Sequence, residues 1–305
     1  MDQKPQMAGG YDPKQTEFCE RALVTLLGGL GSLKDSLRLI GGLVPRYLTP
    51  AGPNVPPHAG TRDVDVVLNL QMFAKGDEYL ALGRQLKKMG FERGENERGE
   101  RCSWRWKRKV GDNEYVVVEF LRDRDDEPPE ARRVQTVEDE EVSACIIDHC
   151  GIVHDWYLEK NVTAELFDSK GKSTEIVRYA DLPSFVILKA LAIWERRENK
   201  DVGDLLHVLR YAGPLRQSAE LFHARRVTGK HSDLFVKVIE VLRMRFCDGD
   251  GVEGVEGFER NGPIAYADFL YADEPEFEER RIDARRFAAG AITEFLKHVD
   301  ALGRP

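Results

Sequence analysis

The chain has 305 residues, 42% hydrophobic and 32% charged, and a formal net charge of −8. That length admits two modest domains or one large one. The acidic balance excludes a general nucleic-acid coating protein, which is basic overall, and no apolar run is long enough for a spanning helix, so no membrane partner is expected. Five widely spread cysteines, an odd number, do not make a disulfide framework. Free thiols in a reducing, cytoplasmic setting are expected.

Residues 1–14 are polar, carry Gly9-Gly10 and two prolines, and lack the apolar core of a signal peptide. They read as a disordered leader. From Thr16 to Leu30, Phe18, Ala22, Leu23, Leu26 and Leu27 recur at helical spacing. A short helix is predicted over Leu33–Leu37, and a buried strand over Leu37–Leu43 that ends in the Gly41-Gly42 turn. Helix or loop follows to Leu48, then a Pro/Gly-rich insertion over Thr49–Gly60. Asp63 to Leu70 alternates with period two, as a strand does. Asp77–Met89 reads as a helix stopped by Gly90. Cys102–Lys109 and Glu114–Leu121 read as a hairpin about Gly111-Asp112-Asn113, and Arg122–Arg133 as a charged loop. Val142–Ile147 and Thr174–Arg178 are further predicted strands. From Asp181 the pattern turns helical: Phe185–Arg197, Asp201–Tyr211, Leu215–Phe222, Leu234–Phe246 and Arg281–Leu302, with a Gly-rich acidic loop at Asp248–Gly257. The fold class is therefore α+β: a mixed-sheet core with flanking helices over 15–180, followed by a helical domain over 181–305.

Asp63 and Asp65 stand two apart on a strand and so project to one face, while Val64 and Val66 point to the other. Paired carboxylates on a rigid strand are the hard oxygen ligands that Mg²⁺ takes. An acid within the apolar run Val116–Leu121, Glu119, is the candidate third carboxylate, since burial there is costly without a metal or cation beside it. Two solvated acids at a strand end and an ordinary Gly-Gly turn are the plainer alternatives. Gly41-Gly42 after an apolar strand could also offer backbone N–H groups to a phosphate.

Four pieces in order, over roughly residues 30–300, resemble the nucleotidyltransferase family that includes the AbiEii/AbiGii-type toxins, within the DNA-polymerase-beta-like superfamily. They are Ile40-Gly41-Gly42 with Thr61-Arg62-Asp63-Val64-Asp65-Val66; Val117-Val118-Glu119-Phe120; Asp181 to Ala192 with Arg196; and Lys200-Asp201-Val202-Gly203-Asp204-Leu205. The stretch Gly262–Leu270 also looks like the ending of some members. The resemblance implies a nucleotidyltransferase-like mixed sheet, Mg²⁺ or Mn²⁺, a nucleoside triphosphate as substrate, and transfer of NMP to an acceptor hydroxyl. RNA, tRNA included, and protein are both open as acceptors, and several relatives are toxins with a cognate antitoxin or act in phage defence. It implies Asp63, Asp65 and Glu119 as metal ligands and Lys189 as the cation on the triphosphate. Gly41, Gly42, Thr61, Arg196, Asp201 and Asp204 complete the implied nucleotide site. Asp201 or Asp204 could pair with Lys189 or Arg196 in the absence of nucleotide; Asp201 could equally be a first-turn acid. Many relatives have Gly-Ser where this chain has Gly41-Gly42, and Thr61 is the candidate to supply that hydroxyl. An inactive binding module and a small-molecule, antibiotic-type nucleotidyltransferase are the alternative readings.

Three signals lie outside this pattern. Cys145, His149, Cys150 and His154 are close in sequence but match no zinc spacing. Asp248-Gly-Asp250-Gly lacks the glycine an EF-hand loop needs at its sixth position. Arg101 to Lys109 interleaves basic and aromatic residues, as single-strand-binding surfaces do, although Trp104 and Trp106 on one buried face would produce the same pattern.

Overall fold

A computed structural model describes residues 5–69, 77–96, 98–112, 114–124, 142–168, 170–247 and 260–303. Most of the loop expected over Arg122–Arg133, the acidic loop at Asp248–Gly257 and the calcium-like motif within it lie outside the described residues. The chain forms two compact units. Asp12–Val44 and Gly60–Asp181 make the first. The second holds the chain from Leu182 on, together with Pro45–Ala59 and the residues leading to Tyr11.

In chain order the elements are α1 (Pro13–Gly29), β1 (Leu37–Ile40), α2 (Pro45–Leu48), β2 (Asp63–Leu68), α3 (Asp77–Lys88), β3 (Glu92–Glu95), β4 (Arg101–Lys109), β5 (Tyr115–Arg122), β6 (Cys145–Ile146), α4 (Ile152–Asp155), β7 (Tyr157–Glu165) and β8 (Lys172–Ala180). They continue with α5 (Leu182–Glu195), α6 (Asn199–Tyr211), α7 (Leu215–Arg226), α8 (Ser232–Phe246), α9 (Gly262–Leu270) and α10 (Glu278–Leu302). The architecture is α+β, a mixed sheet and a helical C-terminal region. No helix among the described residues is long and apolar enough to cross a membrane.

The first unit is built on the sheet, in the order β3-β4-β5-β2-β1-β8-β7, with β6 pairing β5. β2 runs antiparallel to β1 and parallel to β5. Val64, Val66, Val116, Val118 and Phe120 are 0–1% exposed, which commits that face of β2 and β5 to the core. α1 begins at Pro13, where a missing N–H costs nothing, and its Asp12 N-cap accepts a 2.8 Å bond from the Lys14 N–H. It packs on β2, β5, β7 and β8 through Phe18, Ala22, Leu23, Leu26 and Leu27.

Several elements differ from the sequence reading. The strand expected to Leu43 stops at Ile40, because Gly41 turns left-handed at φ +74° and opens a 3₁₀ turn over Gly41–Leu43. Leu33 lies in a 3₁₀ turn, Gly31–Ser36, rather than in an α-helix. The strand expected over Val142–Ile147 shrinks to Cys145–Ile146. β8 is longer than expected and pairs antiparallel with β7, which the sequence reading missed.

The second unit packs α5 against α6, α7 and α8, and α10 against α7, α8 and α9. Phe222 meets Phe235 and Phe295 edge-on at 4.9 and 5.5 Å, the favoured aromatic geometry. The domain boundary expected after residue 180 falls at Asp181, but two earlier segments also belong to the helical unit. Part of the expected disordered leader is one of them. Ala8–Gly10 form a 3₁₀ turn, and Tyr11 is 7% exposed with its ring 6.4 Å from Phe269. Burial of that aromatic surface offsets the entropy of ordering the segment.

Candidate functional site

In the first unit the pleat of β2 brings Asp63 and Asp65 to the half-buried face, opposite the buried Val64 and Val66. Register adds the third acid: Asp65 lies directly beside Glu119 across the parallel β2–β5 pair. All three predicted metal ligands therefore stand on one face of two adjacent strands. Glu119 also faces Arg105 across β4–β5, and Arg105 Nη2 reaches its Oε1 at 2.6 Å.

Thr61 and the turn after β1 both bear on the aspartates. The Thr61 hydroxyl donates to Asp63 Oδ1 at 2.7 Å. Thr61 is itself fixed by α1, its N–H donating to Thr16 Oγ1 at 3.1 Å. At 1% exposure, Thr61 positions Asp63 and presents no exposed hydroxyl, unlike the phosphate-contacting role sought for it in the sequence. Ile40 pairs with Asp65, and the turn that follows runs against the Asp65 carboxylate. A Cβ placed on Gly41 would overlap Asp65 Oδ2, and φ is +74° there. Glycine is demanded twice at this position, by the backbone angle and by the carboxylate. Gly42 is buried in the same turn.

Among the described residues, no group of three or more His, Cys, Asp or Glu side chains is gathered closely enough to hold a metal ion. The donor chemistry nevertheless suits a hard divalent cation. Mg²⁺ commonly takes only one or two protein carboxylates and completes its octahedron with water and substrate phosphates. Asp63 and Asp65 would be that pair. Glu119 would join only by loosening its ion pair with Arg105. In the segment of Cys145, His149, Cys150 and His154, Asp123 accepts the His149 and Gly151 N–H groups at 3.2 and 2.7 Å and organises the turn.

The second unit holds the remaining predicted residues, which gather into one buried ionic cluster. Lys189 on α5 is 6% exposed, while Asp201 and Asp204 on α6 are 1% and 0%. Lys189 Nζ donates to Asp201 Oδ1 at 2.8 Å and to Asp204 Oδ2 at 2.6 Å. Arg196 grips Asp201 with two bonds, at 2.7 and 2.8 Å. Lys200, one turn before Asp204 on α6, reaches it at 2.8 Å. His58 Nε2 lies 2.8 Å from Asp204 Oδ1. Burial opposes every charge here, yet the opposite charges prevail: the Lys189 pKa is raised, Asp201 is lowered and Asp204 lies well below the usual carboxylate range. Burial lowers the His58 pKa, so the imidazole is neutral and its Nε2 donates to Asp204.

The expected pairing of Asp201 and Asp204 with Lys189 is thus present, and Asp201 is also a first-turn acid of α6. Sequence reasoning did not assign His58, Lys200 or Arg105 to these clusters. Lys200 was legible, standing at i,i+4 spacing from Asp204. Arg105 was legible too, since it and Glu119 are equidistant from the turn residue Asp112. His58, within an aperiodic Pro/Gly-rich insertion, carried no signal. No protein-family model matches the chain, and no curated protein matches it.

Proposed function

We propose that this chain is a Mg²⁺-dependent nucleotidyltransferase that moves NMP from an NTP to an acceptor hydroxyl. One observation carries the reading: Asp63 and Asp65 share a face of β2, Glu119 stands beside Asp65, and Gly41 is moulded to the Asp65 carboxylate. A divalent ion at Asp63 and Asp65 would neutralise the triphosphate charge there. The acceptor oxygen attacks the α-phosphorus, a new P–O bond forms, the α–β bridging P–O bond breaks, and pyrophosphate leaves. Glu119, once released from Arg105, is the carboxylate on this face that would take the acceptor proton. The acceptor is RNA, tRNA included, or protein, and a toxin with a cognate antitoxin or a phage-defence protein is the setting the resemblance implies. The phosphate contact assigned to Lys189 is a separate element of the proposal, because its ammonium is buried and shared by two carboxylates.

Incubation with each radiolabelled NTP, Mg²⁺ and total RNA or protein is the test. Label transfer is expected from wild type, with a loss of at least roughly a hundredfold in Asp65→Asn. Label that survives Asp63→Asn combined with Asp65→Asn refutes the assignment. The Arg105–Glu119 pair and the lack of a hydroxyl at Gly42, where many of the resembling proteins have serine, favour a second reading, a nucleotide-binding module without turnover. Calorimetric NTP binding that is indifferent to Mg²⁺, with no label transfer, would select it.

A further inference from the structure

The first unit carries a second concave feature, at the β3 edge of the sheet. A cavity of about 380 Å³ is lined by the cations Lys87, Arg93, Arg101 and Lys107, with Phe91 and two glutamates. The local fold makes it. Arg93 and Glu95, two apart on β3, project to the cavity together, and the β3–β4 register shifts between them so that Glu95 pairs with Arg101. Gly94, at the shift, sits against the Arg105 backbone, where a Cβ would be 3.1 Å from its carbonyl oxygen. Phe91, 2% exposed, closes the floor without presenting a ring for a base to stack on.

The charge balance is unusual for this chain. Four cations face Glu92 and Glu95 in a protein whose net charge is −8. Lys107 Nζ lies 3.8 Å from Glu92 and 3.9 Å from Glu95, too far for hydrogen bonds. Structural pairs of the same unit close to 2.6 Å (Arg105–Glu119) and 2.7 Å (Arg108–Asp168). The Lys107 ammonium also stands 5.4 Å over the Tyr115 ring and is 27% exposed. Lysine and arginine donors that converge on one cavity, with the Lys107 ammonium beyond hydrogen-bond reach of its own acids, suit a multiply charged oxyanion. The volume lies within the range of small-ligand pockets.

We infer that this cavity is a phosphate-binding site, taking the phosphates of a free nucleotide or of a nucleic-acid strand, and that it is independent of the Asp63–Asp65 carboxylates. Titration calorimetry at low salt would use inorganic tripolyphosphate in one arm and a single-stranded oligoribonucleotide in the other. Saturable binding is expected in at least one arm, weakened at least roughly tenfold by Lys107→Glu with Arg101→Glu and by added salt. Lys107→Gln, with its unfolding midpoint measured in parallel, separates lost binding from lost fold. Both arms are run without divalent cation, which removes any contribution from the Asp63–Asp65 site and keeps this inference distinct from it. Binding of tripolyphosphate identifies free phosphates as a ligand source; binding of the oligonucleotide alone identifies the strand. No saturable binding in either arm, or binding unchanged in the double charge reversal, overturns the inference.

Discussion

Replacement of Asp204 by Asn tests the buried cluster of the helical unit most sharply. In the native state Asp201 and Asp204 face Lys189, Arg196 and Lys200, three cations to two carboxylates, with His58 neutral. Asp204→Asn leaves three cations to one carboxylate, with Lys189 6% exposed. Breaking a buried pair by removing one partner costs about 3–5 kcal/mol, and this variant should fall there. Lys189→Met instead leaves the charges even. Arg196 still holds Asp201 at 2.7 and 2.8 Å, and Asp204 keeps Lys200 and His58. A methionine of similar length fills the space, so the loss is about 1–3 kcal/mol. The double variant should lose less than the sum, with a coupling of at least about 1 kcal/mol. Urea unfolding followed by circular dichroism gives the three values from midpoints and slopes. If Lys189→Met costs as much as Asp204→Asn, or the pair is additive, the charge-count argument fails.

Gly41→Ala should cost about 1–2 kcal/mol from the left-handed backbone alone and should displace the Asp65 carboxylate. Mg²⁺-dependent NTP binding should therefore weaken more than stability does, and calorimetry beside urea unfolding would show whether it does. Acid sensitivity should come first from histidines. Burial lowers His154 and His207 to a pKa of about 4, from 6.5. The unfolded chain binds those protons as pH falls through 6.5 while the folded chain does not, so stability is full above about 6.5 and declines toward 4. The slope is at most about 1.4 kcal/mol per pH unit per histidine, roughly halved for partial solvent exposure. Urea midpoints between pH 7.5 and 4.5 should fall accordingly and flatten in His154→Gln with His207→Gln. A midpoint that does not move over that range removes the argument.

How far each feature could be read from the sequence follows from where its determinants lie. Asp63, Val64, Asp65 and Val66 sort by strand parity alone, so their faces were legible. Glu119 was legible as an acid in an apolar run, but its place beside Asp65 is a matter of inter-strand register. β3 reads Glu-Arg-Gly-Glu, without an apolar side chain, and is a strand only because β4 offers an edge to pair with. In β7 only Val162 is buried, so no apolar alternation betrays it. Tyr11 and His58 belong to short segments that join the helical unit from far along the chain, and no local pattern specifies such a return.

The two aspartate pairs show how environment divides one residue type between two tasks. Asp201 and Asp204 are 0–1% exposed and saturated by ammonium, guanidinium and imidazole donors. A metal could reach them only by displacing these donors, at several kcal/mol. Asp63 and Asp65 lie on a half-buried strand face, which a hydrated divalent ion can approach from solvent. Their restraint comes from Thr61, held in turn by α1, and from a glycine that leaves Asp65 room. Such restraint fixes direction, and a metal site gains affinity from acids held in this way. The physical case for metal therefore attaches to β2 and not to the cluster on α5 and α6.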